Sequence, residues 1–122
     1  MRVDYDDEYL SIVSCDGKDG FEIARMLESV KGLKIEDYCV GGFDCDPGEG
    51  WLKTYASADE MASDKEWLEG ESWDSYFVGA SFNGVPVGIH AFPNGKSIEI
   101  FWSNKRKLPD LVSAILSAGE KK

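Results

Sequence analysis

Little in this sequence points to a metal, a disulfide or a membrane. Three of the 122 residues are cysteine, Cys15, Cys39 and Cys45, and one is histidine, His90. An odd cysteine count with no C-x-x-C pair argues against a disulfide framework and against zinc. The thiols are therefore expected to be reduced, as small core or loop residues. No run approaches the ~18 apolar residues of a membrane span. The opening MRVDYDDEY has neither a basic n-region nor an apolar h-region, which speaks against a signal peptide and makes the cytoplasm the expected location. No G-x-S-x-G, G-x-G-x-x-G, H-E-x-x-H or N-x-S/T stands anywhere. Gly95-Lys96-Ser97 imitates the end of a phosphate loop, but the glycine that pattern needs is replaced by His90. No cofactor is implied.

Basic residues are also scarce, 13 against 23 acids, for a net charge of −10. The deficit is uneven: residues 1–75 hold 20 acids and 7 bases, residues 76–122 hold 3 acids and 6 bases. Such a field repels nucleic acid and membrane surfaces and attracts basic proteins.

What the chain does have is a strong sheet signal. YFVGASFNGVPVGIHAFPNGKSIEIFWS, residues 76–103, reads as a three-stranded antiparallel meander with turns at Asn83-Gly84 and Asn94-Gly95. Asn-Gly between β-formers favours a type I′ turn, which needs positive φ at both central residues. Two-residue turns set Val78 opposite Ile89 and Ile89 opposite Ile100, with Tyr76, Ala80, Val87, Ala91, Ile98 and Trp102 on the same side. A one-residue slip would mix apolar and polar positions. The reverse side carries Phe77, Gly79, Ser81, Pro86, Gly88, His90, Phe92, Glu99 and Phe101. Phe101 is expected to lie over Gly79 and Gly88, and Pro86 to force a bulge or a late strand start.

Before the meander, DYDDE reads as an acidic lead-in and YLSIVSC as a strand. Asp19 and Glu22 suggest a capping box for a helix over 20–31, closed by Gly32. EDYCVGGF and WLKTYAS suggest a hairpin that breaks at Gly41-Gly42. Boxes at Ser57/Glu60 and Ser63/Glu66 suggest one helix or two short ones over 58–69, amphipathic but poorly buried. Pro109 opens a last helix with a strong apolar face. The expected fold is a single α+β domain over residues 1–122, order β-α-β-β-α-β-β-β-α. Its sheet is antiparallel-dominated, with helices packed on one face. The strand order of residues 1–57 does not follow from the sequence.

Three clusters could carry function. Asp44, Asp46 and Glu49 in DCDPGEG could meet a cation, but Tyr55 stands where an EF-hand needs glutamate, so no metal is expected. His90 faces Glu99 in the register, with Phe77 and Phe101 on the same side, the start of an acid/base pair or a small-ligand site. DEMASDKEWLEGESWD holds seven acids and one base around two tryptophans. Asp59, Glu60, Asp64, Glu66, Glu69, Glu71 and Asp74 would steer a basic partner that Trp67 and Trp73 anchor. The leading expectation is a small protein-binding module that engages a basic protein. In size, acidity and lack of catalytic motifs it is similar to toxin-neutralising immunity proteins and phage-encoded inhibitors, a likeness carried by no motif. The alternative is an enzyme or ligand binder centred on His90 and Glu99. A third reading is a homo-oligomer that covers Phe77, Phe92 and Phe101.

Overall fold

The computed structural model describes residues 1–15, 17–42, 51–70, 73–92, 96–102 and 106–120, with the backbone alone at 42, 51, 52, 73 and 74. Its centre is the expected meander: β5 (Trp73–Phe82), β6 (Val85–Phe92) and β7 (Ser97–Phe101). Val78 pairs with Ile89 and Ile89 with Ile100, and His90 stands between Phe77 and Glu99. Asn83 and Gly84 have φ of 49° and 85°, the type I′ signature. The second Asn-Gly turn lies outside the described residues.

Pro86 causes no bulge, contrary to expectation: Ser81 pairs with it in unbroken register. Pairs alternate along an antiparallel ladder. The pair flanking the tight turn, Phe82 and Val85, exchanges hydrogen bonds, so the next one does not. The missing Pro86 donor therefore points away from β5, toward β7, whose pairing with β6 ends at Gly88.

Four more strands extend the sheet to seven. They are β1 (Arg2–Asp6), β2 (Leu10–Ser14), β3 (Leu33–Gly42) and β4 (Trp51–Tyr55), in the order β1-β2-β7-β6-β5-β3-β4, with every neighbouring pair antiparallel. β3 and β4 form the expected hairpin, and its register shifts at Val40/Gly41. The acidic lead-in is in fact strand β1. Asp7 builds its turn: one carboxylate oxygen accepts the Tyr9 and Leu10 amides, both at 2.7 Å, and the other accepts the Tyr5 hydroxyl at 2.6 Å. All five β1 residues are exposed, as suits a charged edge strand that discourages pairing with other chains.

Four helices pack on the meander's apolar side. Helix α1 (Gly20–Glu28) starts with the capping box: Asp19 accepts the Phe21 and Glu22 amides, and Glu22 accepts the Asp19 amide. It ends four residues before Gly32, so Gly32 is not its C′ residue. At φ 89°, Gly32 instead turns the chain into β3. A Cβ there would stand 2.6 Å from the Asn83 side chain, so the glycine lets this turn dock on the β5–β6 turn. Helices α2 (Ala58–Ser63) and α3 (Lys65–Gly70) are the second of the two expected alternatives, two short helices, and α4 (Pro109–Glu120) completes the layer.

Val78, Ile89 and Ile100 are fully buried beneath Ile23, Leu27, Leu111 and Ile115. Burying one such side chain contributes about 1.5–3 kcal/mol. Met61 and Leu68 are buried too, so α2 and α3 are better anchored than their thin apolar stripe suggested. Core tyrosines reach through to the helices: Tyr76 donates to the Gly20 carbonyl at 2.8 Å, and Tyr38 donates to Glu28 at 2.9 Å. Trp102 is buried with its indole N–H on Ser11 at 2.8 Å, and Ser11 donates onward to Asp6 at 2.6 Å. No helix among the described residues is long and apolar enough to cross a membrane.

Candidate functional site

The acidic segment forms a corner between α2 and α3. Ser57 caps α2 by accepting the Glu60 amide at 3.1 Å. Ser63 does not form the second expected box. Its hydroxyl donates to the Glu60 carbonyl at 2.6 Å, and the chain leaves helical geometry at Asp64, with φ −106° and ψ 16°. The Asp64 carbonyl then accepts the Leu68 amide and starts α3.

The Asp64 carboxylate is used inside the fold. One of its oxygens takes the Lys53 ammonium at 2.7 Å and the Tyr55 hydroxyl at 2.6 Å. The Lys53 bond, and then the Tyr55 bond, hold its pKa below the ordinary carboxylate value. Burial first, and then the bond to Asp64, raise that of Tyr55. Asp64 thus ties strand β4 to the helical corner through one carboxylate oxygen. Lys53 also stands 5.4 Å from the ring centre of Trp67, a cation–π contact that steadies the indole.

The other predicted residues divide clearly. Glu60, Glu66 and Glu69 are exposed, and Trp67 is 42% exposed. Asp59 is exposed and meets Arg25 at 3.2 Å, a surface pair of little energetic consequence. Trp73 and Asp74 lie in β5, with only their backbone described. Glu71 lies outside the described residues. Ala62, Ser63, Asp64, Lys65, Glu66 and Trp67 line an open recess of about 580 Å³ at the corner.

The second candidate lies on the opposite side of the sheet. His90 faces Glu99 as expected, and its Nε2 stands 2.8 Å from the Ser75 hydroxyl. The Phe92 ring lies 4.3 Å from the imidazole, and Phe77 meets it edge-on at 6.1 Å. Ser75 was missed because the expected meander begins at Tyr76, one residue after it. Starting the strand at Trp73 would have set Ser75 on the His90 side, diagonal to it.

A hydroxyl on an imidazole is the beginning of a nucleophile and its base. Here the serine as a whole is only 8% exposed, which leaves a substrate little access, and β5 is paired with β3 at Ser75 and with β6 from Tyr76 onward. From Tyr76 onward its amides lie within the ladder on both edges and are not free to turn to an oxyanion. The pair works as a tie between β5 and β6.

Phe101 does not cover the glycines. Phe77 covers Gly88, with its Cζ 2.9 Å from where a Cβ would stand, while the neighbour at Gly79 is the Asp37 carboxylate, at 3.0 Å. Among the described residues no three metal-ligating side chains converge; DCDPGEG and Cys45 lie outside them. Comparison of the chain with family models, with curated proteins and with solved structures finds no match.

Proposed function

We propose that this chain is a protein-binding module and that the α2–α3 corner receives a basic protein partner. The observation that carries this reading is a half-exposed tryptophan amid exposed carboxylates. Trp67 is held by Lys53 and shares its recess with the exposed Glu66, while Glu60 and Glu69 stand exposed on the same two helices. An aromatic anchor within acidic steering charge is a common composition of hot spots and their rims. Trp67 supplies contact area at low entropic cost, because Lys53 already restricts its ring. The acids of residues 1–75 extend the field and speed encounter with a cationic surface. A small inhibitor that masks the working surface of a basic protein is one such module.

The test is capture from native lysate at low salt, followed by titration of the purified partner. Paired Glu66→Lys and Glu69→Lys changes should weaken binding about tenfold or more, mostly through the association rate. Raising salt from 50 to 300 mM should do likewise. A partner held equally well by wild type and the reversed variant, at both salts, would remove this reading.

A ligand site around His90 is the second reading. One observation favours it: the helices leave that face uncovered, and Phe77, Phe101, Gly79 and Gly88 line an open hollow of about 540 Å³. A folded His90→Ala protein that loses a ligand of the wild type would support it.

A further inference from the structure

We propose that Asn83 is a deamidation site gated by the fold itself: the docked turn at Gly32 holds the reaction off, and opening of the β5–β6 tip converts Asn83 to aspartate or isoaspartate. The site shares no residue with the α2–α3 corner and does not depend on a partner there.

The reacting groups stand together at the tip. Asn83 and Gly84 are both exposed. Gly84 has no Cβ to crowd its amide nitrogen, and nothing stands within 4 Å of where one would be. Among the described residues, nothing accepts a hydrogen bond from that amide. Its nitrogen is the nucleophile and the Asn83 carboxamide carbon the electrophile. An N–Cγ bond forms, the Cγ–Nδ2 bond breaks, and ammonia leaves with the Gly84 amide proton. Solvent water then opens the cyclic imide at one of its two carbonyls, and nothing is oxidised or reduced. Opening on the Cγ side yields aspartate. Opening at the backbone carbonyl yields isoaspartate, whose main chain runs through Cβ and is longer by a methylene.

The native turn opposes the first step. In a type I′ turn ψ at the first central residue is about +30°. That angle sets the following nitrogen nearly opposite Cβ, out of reach of the side chain. Two contacts hold Asn83 in this state. Its amide donates to the Gly32 carbonyl at 3.0 Å, and its side-chain oxygen lies against Gly32, 2.6 Å from where a Cβ would stand. Attack therefore waits on local opening of the tip, and the Gly32 turn, fifty-one residues earlier in the chain, sets how often the tip opens.

The two products load the fold differently. Asp-Gly forms the same turn as Asn-Gly, so aspartate keeps the register. It adds a carboxylate to the hollow of about 260 Å³ that Asn83 shares with Arg106, Lys107 and Asp110. Isoaspartate lengthens a two-residue turn whose length fixes the pairing of β5 with β6, and so undoes the tip.

Peptide mass mapping of the full chain, incubated in mildly alkaline buffer, tests this. Asn94-Gly95, the same dipeptide beyond the other end of β6, is the internal reference. In the wild type, Asn83 should convert about tenfold or more slowly in the native state than in concentrated urea. Gly32→Ala, which forces a methyl into the Asn83 side chain, should speed native conversion at Asn83 about tenfold, the scale of one overpacked contact, and leave Asn94 unchanged. If circular dichroism shows that this variant does not fold, the wild type in sub-denaturing urea replaces it. Conversion at Asn83 should then rise less steeply with urea than global unfolding does, because opening the tip exposes little surface. Equal acceleration at both dipeptides in Gly32→Ala, or conversion that tracks global unfolding in urea, overturns the proposal. So does a native Asn83 that converts as fast as in the unfolded chain, or one that converts in neither the wild type nor the Gly32 variant.

Discussion

At the scale of single residues, Gly88 shows how an absent side chain shapes a surface. Phe77 lies where its Cβ would be, so Gly88→Ala must push the phenyl ring off the sheet. We expect a loss of about 1–3 kcal/mol, typical of overpacking. The loss should shrink when Phe77→Ala is added, because the clash disappears with the ring; chemical denaturation of the two singles and the double checks this. The sequence reading assigned the cover to Phe101, the residue straight across. The long aromatic reaches instead from the diagonal position, which strand alternation alone does not distinguish. Asp64 was illegible for a related reason. Its place in an acidic run says nothing of Lys53 and Tyr55, which come from another strand and meet it only once β4 docks beneath the corner.

At the scale of elements, what was legible is what local chemistry dictates. Asp19 caps α1 because its carboxylate reaches two orphan amides, and Asp19→Ala should cost about 1 kcal/mol of unfolding free energy. Gly84 has φ 85°, so Gly84→Ala should cost about 1 kcal/mol through strain, although nothing lies near the added methyl. Thermal unfolding of both variants measures these losses. Strand β1 was not legible. Acids at Asp4 and Asp6 hide its alternation, and an edge strand with every side chain exposed has no buried face to write a pattern. The break between α2 and α3 was legible only as an option. Two serine boxes competed for the same turn, and Ser63 settled it by bonding back to the Glu60 carbonyl.

At the scale of the whole molecule, the strand order comes from long-range pairing that no local signal encodes. β2 and β3 flank the meander on opposite edges, and α1 crosses over it between them. The assembled fold then sets the limits of stability in pH. Asp6, Asp7 and Asp64 have pKa values lowered mainly by bonds to Lys107, Tyr5 and Lys53 respectively. Their contribution is present above the ordinary carboxylate value and is lost as pH falls through the lowered ones. Tyr38, Tyr55 and Tyr76 have raised pKa values, chiefly from burial. Between the ordinary tyrosine value near 10 and the raised ones, the unfolded chain binds fewer protons than the native one, so stability falls as pH rises. Self-repulsion of a chain at −10 grows over the same range and adds to the alkaline loss. On the acid side it relaxes toward the pI of about 4.4, before the aspartates protonate. The two effects oppose there and reinforce at high pH, so the maximum should fall on the mildly acidic side, near pH ~5–6, rather than at neutrality. Unfolding temperatures from pH 3 to 11.5 test this. A decline should begin near pH ~10, and Tyr38→Phe should be less stable at pH 7 yet show a shallower decline above 10, because it no longer carries a proton to lose. A profile flat from pH 9 to 11.5, or an equal alkaline slope in Tyr38→Phe, would show that the buried hydroxyls do not govern that limit.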